Sequence, residues 1–291
     1  MDINVFFQNF GRIFDQGRRE DIGEFLHNSL AEAEKEKDNH ALVTILNEAA
    51  GYFRNTSNYA EAVNAADRAV SILRGLGYEN TVPYGTTLLN AATAYRAAGD
   101  SVKAMELFIS SLTVLAALLP EDDYRLAGLY NNISAIHEEK GDYSEALEML
   151  QKASDIMEKK PDMADDAAIV LTNLAMISLK LNRRDEASAT LEKAMAVFRR
   201  AGGGEEGQKL APQYAAALAG MGEAYFRMDK FDKAARAYES ALEHIEAAFG
   251  ENRDYAITCR NCADACEAAG YLEKARQFTA KADHIFARLD A

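Results

Sequence analysis

The sequence predicts an all-α chain: an α-solenoid of six two-helix hairpins behind a degenerate N-terminal helical cap. Three observations carry this. Small residues recur at three fixed positions six times over, larger apolar residues recur between them at helical spacing, and a turn signal precedes each hairpin's second helix.

The cap comes first, in residues 1–40. Val5, Phe6, Phe7, Phe10, Ile13 and Phe14 form one helical face, and Ile22, Phe25, Leu26 and Leu30 another. Aligning Gly17 with Gly141 brings Ile22 and Ser29 under Ala146 and Ala153, so this segment reads as a degenerate seventh hairpin. Terminal repeats of solenoids are expected to be atypical.

The hairpins occupy residues 41–291. Their marker residues, Ala62, Ala104, Ala146, Ala187, Ala234 and Ala275, are 42, 42, 41, 47 and 41 residues apart. Turn signals stand just before them: Thr56-Ser57-Asn58, Gly99-Asp100, Gly141-Asp142, Asn182-Arg183, Asp229-Lys230 and Gly270-Tyr271. Seven residues after the markers stand Ala69, Ser111, Ala153, Ala194, Ala241 and Ala282, and twelve before them Ala50, Ala92, Ser134, Ala175, Gly222 and Ala263. Small residues at helix contacts let the axes approach closely while larger neighbours fill the flanks. Those neighbours are Leu46, Leu88, Tyr130, Leu171, Leu218 and Cys259 on the first helix, followed on the same face by Phe53, Tyr95, His137, Ser178, Tyr225 and Cys266. The four prolines, Pro83, Pro120, Pro161 and Pro212, lie in the junctions between hairpins. A Gly-rich loop at 201–208 accounts for the longest spacing and reads as a mobile joint. The last helix, Tyr271 to Leu289, closes the array with Lys274, Arg276, Lys281 and Arg288 toward water.

Leu218, Met221, Gly222, Tyr225, Ala234 and Tyr238 fit the pattern W-x2-L-G-x2-Y followed by A-x3-F. The chain thus resembles the tetratricopeptide repeat (TPR) family over residues 41–291. Its longer period is similar to the extended repeats of kinesin light chain. The resemblance implies a right-handed α-α superhelix whose first helices line a concave, ligand-binding groove.

Composition narrows the function. The chain has 291 residues, 48% of them hydrophobic, and 32 Lys+Arg against 46 Asp+Glu, a net charge of −14. That describes a folded protein whose charge disfavours nucleic acid and anionic lipid. Three cysteines make no disulfide framework, the start Met1-Asp2-Ile3-Asn4 lacks a cationic leader, and no apolar run reaches membrane-spanning length, so a cytoplasmic protein with protein or peptide partners is expected.

Fourteen residues before the markers lie Glu48, Asn90, Asn132, Asn173, Gly220 and Asn261. In peptide-clasping members of the family such amides grip ligand backbone, and the resemblance extends that role to Asn90, Asn132 and Asn173. The competing reading is that they bond the neighbouring helix. Nearby stand Asn47 and Asn131 and the cations Arg54, Arg96, Lys180, Arg227 and Arg260, which could meet an acidic peptide or else pair with Glu138, Glu139, Glu223, Asp264 or Glu267. The carboxylate clamp of chaperone-tail binders is not expected, because Asn47, Gly51, Asn90, Gly128 and Asn132 occupy its positions.

Cys259, Cys262 and Cys266 share one face, but they coincide with packing positions and read as core rather than as metal ligands. Tyr84, Tyr214 and Tyr255 recur near the start of first helices, as inter-repeat packing. The five scattered His form no catalytic pattern, and Gly202-Gly203-Gly204 lacks the Lys-Ser/Thr of a phosphate loop. No catalytic residue, metal or cofactor is therefore expected. The leading expectation is a non-enzymatic adaptor binding an extended peptide, with peptide-binding residues Asn47, Arg54, Asn90, Arg96, Asn131, Asn132 and Asn173. The alternative is a peptide-responsive regulator of the pheromone-sensor type, without a DNA-binding domain of its own. A peptide-dependent change in scattering radius would favour that alternative. Sequence leaves the oligomeric state open.

Overall fold

A computed structural model describes residues 2–15, 19–160, 162–200 and 212–289, and its regular structure is helical throughout. The chain divides into two compact units, Met1–Glu121 and Asp122–Ala291. The first unit holds α1 (Ile3–Asp15), α2 (Arg19–Glu36), α3 (Asn39–Asn55), α4 (Tyr59–Gly75), α5 (Val82–Ala97) and α6 (Ser101–Leu118). The second holds α7 (Tyr124–Lys140), α8 (Tyr143–Met157), α9 (Ala164–Lys180), α10 (Arg184–Arg200), α11 (Pro212–Arg227), α12 (Phe231–Phe249), α13 (Arg253–Ala268) and α14 (Leu272–Leu289). Consecutive helices pair as hairpins. Within each unit, neighbouring first helices of successive hairpins also touch: α3 with α5, α7 with α9, α9 with α11, and α11 with α13.

Each hairpin turn is built the same way. The first helix ends in a left-handed residue at Ser57, Gly99, Gly141, Asn182, Asp229 or Gly270, with φ between 59° and 89°. The next N–H then reaches back five residues: Asn58 donates to the Phe53 carbonyl at 2.7 Å, Asp100 to Tyr95 at 3.0 Å, and Asp142 to His137 at 2.9 Å. Arg183 donates to Ser178 at 2.8 Å, Lys230 to Tyr225 at 2.9 Å, and Tyr271 to Cys266 at 2.7 Å. This double-bonded C-cap satisfies the last carbonyls and reverses the chain. Helix starts are capped by side chains, Asp38 accepting from the Ala41 N–H at 3.0 Å, Asp100 from Lys103 at 2.9 Å and Asn252 from Tyr255 at 2.9 Å.

Packing follows the small residues. The marker alanines and the small residues seven after and twelve before them are all buried. Gly222 shows why: a Cβ there would stand 2.7–2.9 Å from Cδ1, Cε1 and Cγ of Tyr238. In the fifth hairpin the aromatic ring occupies the volume that a methyl group takes elsewhere. Ser111 keeps its buried hydroxyl satisfied by donating to the Gly85 carbonyl at 2.6 Å.

Four expectations change. Tyr130 is only half-buried, its ring covered by the Lys152 ammonium at 5.8 Å. In α1, Phe6, Phe10 and Ile13 face the core, but Val5 and Phe7 are 49% and 42% exposed, because α1 packs on one side, against α2. Lys281 faces water only in part: it lies half-buried over the Tyr255 ring, 2.6 Å from its hydroxyl. The 18-residue α6 is long and apolar enough to cross a bilayer, against the expectation that no stretch is, because Ser110, Ser111 and Thr113 barely dilute its aliphatic residues. It nonetheless carries the Lys103–Glu106 ion pair, and it packs Ala104, Phe108, Ser111 and Leu115 inward as a hairpin's second helix.

Ile22 and Ser29 are buried, and α2 shares its core with α3 and α4. Gly17, Pro161, the 201–208 loop and the side chains of Phe14 and Tyr214 lie outside the described residues.

Candidate functional site

The amides bond to each other in pairs. In the first unit, Asn90 on α5 donates Nδ2–H to Oδ1 of Asn47 on α3 at 2.9 Å, and Asn47 donates onward to Thr87 Oγ1 at 3.0 Å. In the second, Asn173 on α9 donates to Oδ1 of Asn131 on α7 at 2.8 Å. Each pair joins the position fourteen before a marker to the position fifteen before the preceding one. Asn132 donates to its own helix at the Gly128 carbonyl, 2.8 Å away. The next contact of this register joins Gly220 to Thr172, and a Cβ at Gly220 would lie 2.8 Å from the threonine methyl. Glycine breaks the Asn row because Thr172 fills the space.

The pairs are half-buried. Among the described residues, Oδ1 of Asn90, Asn132 and Asn173 and Nδ2 of Asn131 have no protein partner, and none is among the buried unsatisfied atoms. They remain open to solvent, able to bond an incoming backbone.

The cations are engaged differently. Lys180 pairs with Glu138 at 2.7 Å and lies 5.4 Å from the Tyr143 ring centroid. Arg227 donates to Glu223 through Nε at 3.0 Å and Nη2 at 2.7 Å. Arg260 pairs with Asp283 at 2.9 Å and covers Phe286, so it faces its own hairpin's second helix. Arg54 holds Asn55 through two N–H groups, and both Arg54 and Arg96 are half-buried. Glu48, where the row carries an acid, has its carboxyl pushed up by burial.

Tyr84 and Tyr255 are buried and bridge helices: Arg74 of α4 donates to Tyr84 Oη at 3.2 Å, and the Tyr255 hydroxyl lies 3.4 Å from Glu246 of α12. Cys259, Cys262 and Cys266 are buried free thiols. Glu239 of α12 comes within 4.8 Å of the Cys262 and Cys266 sulfurs, a neighbour their spacing on α13 did not reveal. That carboxylate already meets the Lys274 ammonium at 2.6 Å, and burial pushes both thiols up, which keeps them protonated. The arrangement is that of packing.

One feature went unread in the sequence. A cleft of about 330 Å³ opens between the fifth and sixth hairpins, lined by Glu223, Phe226 and Arg227 of α11, Tyr238 of α12, and Asn261 and Asp264 of α13. The signal was present eleven residues before the markers. Gly51, Thr93, Ala135 and Met176 give way there to Glu223 and Asp264 in the last two hairpins.

Tetratricopeptide-repeat profiles match residues 84–159 and 213–282, and a second such profile matches 138–201. The chain is similar to the protein KINESIN LIGHT CHAIN-RELATED 1 of Arabidopsis thaliana, 23% identical over 65% of this chain and 30% of that protein. It spans about a third of the length of the curated relatives it matches. Among solved structures it is similar to BtubC (BKLC) from P. vanneervenii, with TM-score 0.56, 23% identity, and coverage of 80% of this chain and 92% of that one. It is also similar to a Rap protein complexed with Competence and Sporulation Factor, with TM-score 0.71, 16% identity, and coverage of 98% and 74%. At these identities the structural likeness is one of fold.

Proposed function

Because the chain belongs to the tetratricopeptide repeat family, we propose that it is a non-enzymatic adaptor holding an extended peptide segment of a partner protein across its first-helix faces. The observation that carries the reading is the open half of each amide pair. Asn47–Asn90 and Asn131–Asn173 are held rigid by one hydrogen bond apiece, with amide atoms left toward solvent. A preorganised row of amides grips peptide N–H and C=O groups at little ordering cost and without reading side chains. Arg54 and Arg96, each on the same helix as an amide of the first pair, would add attraction for acidic groups of the ligand. The Rap protein complexed with Competence and Sporulation Factor is a fold neighbour with a bound ligand and is consistent with this use.

Partner capture from a lysate of the source cells tests the reading, comparing the natural chain with N90A/N132A/N173A and with Asn132→Ala alone, all checked for equal helicity. The single variant leaves both amide pairs in place. Partners should be lost from the triple variant and weakened by the single one. Identical partner sets on all three proteins would sink the proposal.

A further inference from the structure

We propose that the cleft between the fifth and sixth hairpins is a subsite for a cationic side chain, a lysine or arginine of the bound peptide. This rests on the peptide-binding reading above and adds a specificity to it.

Charge decides the sign of the ligand. Glu223 and Arg227 answer each other through two hydrogen bonds, so they contribute little net field. Asp264 is exposed and has no hydrogen bond or ion pair among the described residues, which leaves the cleft with one surplus negative charge. An anionic ligand would have to displace Glu223 from Arg227 and approach Asp264 as a like charge.

An unpartnered hydroxyl on a buried side chain points the same way. Tyr238 is 3% exposed, yet it lines the cleft and its hydroxyl has no hydrogen-bond partner among the described residues. The hydroxyl is not among the buried unsatisfied atoms, so it opens onto the cleft, where a ligand can reach it. Gly222 makes room for that ring, since any Cβ would strike it.

The acceptor set matches an ammonium or guanidinium. The Asp264 carboxylate, the Tyr238 hydroxyl oxygen and the Asn261 Oδ1 offer three acceptors, and the Phe226 ring adds an apolar wall that attracts cations through its face. The first four hairpins lack the acid at this position. The subsite therefore belongs to one end of the second unit, and it would set the register of a ligand whose backbone is gripped by amides indifferent to sequence.

Selection of a random dodecapeptide display library on the full chain, on Asp264→Asn and on Asn132→Ala provides the test. Peptides selected on the natural chain should align with Lys or Arg enriched at one position. Asp264→Asn should erase that enrichment and weaken the best peptide about fivefold, as expected for one partly exposed ion pair. Tyr238→Phe, which keeps the ring, should weaken it as well. Enrichment of Asp or Glu, no charge preference, or a preference unchanged in Asp264→Asn would each overturn the proposal. Peptides lost on Asn132→Ala but indifferent to Asp264→Asn would refute the subsite alone. A natural chain that selects nothing beyond the bare support would refute peptide binding and the subsite together.

Discussion

The two units use the same two repeat positions for their amide pairs but continue them differently. In the first unit, Asn47 passes its own N–H to Thr87 on the same helix as its partner, so the contact is bonded twice across α3 and α5. In the second, Asn131 and Asn173 share one bond, and the same register then runs on to Gly220 against Thr172 and to Asn261 at the cleft. Repeat geometry dictates a distance between neighbouring first helices at this position. Amide with amide and glycine with threonine are two ways of filling it, and only the amides leave polar atoms for a ligand.

The largest effect is expected at Gly222, the fifth-hairpin counterpart of Ala92. Gly222→Ala drives a methyl group into the Tyr238 ring and should lower the unfolding free energy by about 2 kcal/mol, despite alanine's better helix propensity. Urea denaturation measures it, and a loss below about 0.5 kcal/mol would mean that the ring yields freely.

A smaller loss is expected at Gly220. Gly220→Asn alone should cost about 1–2 kcal/mol by striking Thr172. Pairing it with Thr172→Asn should recover about 1 kcal/mol by rebuilding the amide pair of the neighbouring hairpins. An additive double-mutant cycle would show that the register does not transfer. Asn173→Ala, which strips Asn131 of its donor, should cost about 1 kcal/mol, whereas Asn132→Ala, whose bond stays within its own helix, should cost less than about 0.5 kcal/mol.

The smallest effect appears only in alkali. Tyr95 donates its hydroxyl to Asp67 at 2.7 Å, and this bond, reinforced by burial, pushes its pKa up to about 12. An unfolded tyrosine titrates near 10. The folded state thus favours the neutral phenol, and the contribution is complete below about pH 10 and disappears as pH rises toward 12. Stability of the natural chain should fall more than that of Tyr95→Phe across this window, and parallel curves would dismiss the coupling.

Turns and small residues were legible in the sequence because their causes are local: a left-handed residue favours Gly, Asn, Asp or Ser, and close axes demand Ala, Gly or Ser. Each of the six turn signals therefore contains a left-handed residue. The partner of each asparagine was not legible. A 42-residue period puts Asn90 and Asn132 on equivalent faces, but the bond runs to a position offset by one, which depends on how first helices lean together rather than on periodicity. The cleft was harder still, since Tyr238 reaches it from a second helix and Asp264 from the following first helix. The same holds for Glu239 beside the cysteines, supplied by the hairpin before them.

The amide pairs also have a mechanical meaning. A hydrogen bond running crosswise between two parallel rods resists sliding far more than rocking. Moving one hairpin past the next by one helical turn is a shift of about 5.4 Å, enough to carry a 2.8 Å contact beyond bonding range, while a small rotation about the bond leaves it intact. Asn131–Asn173 thus acts as a pin that holds its two hairpins in step along their axes while leaving them free to rock.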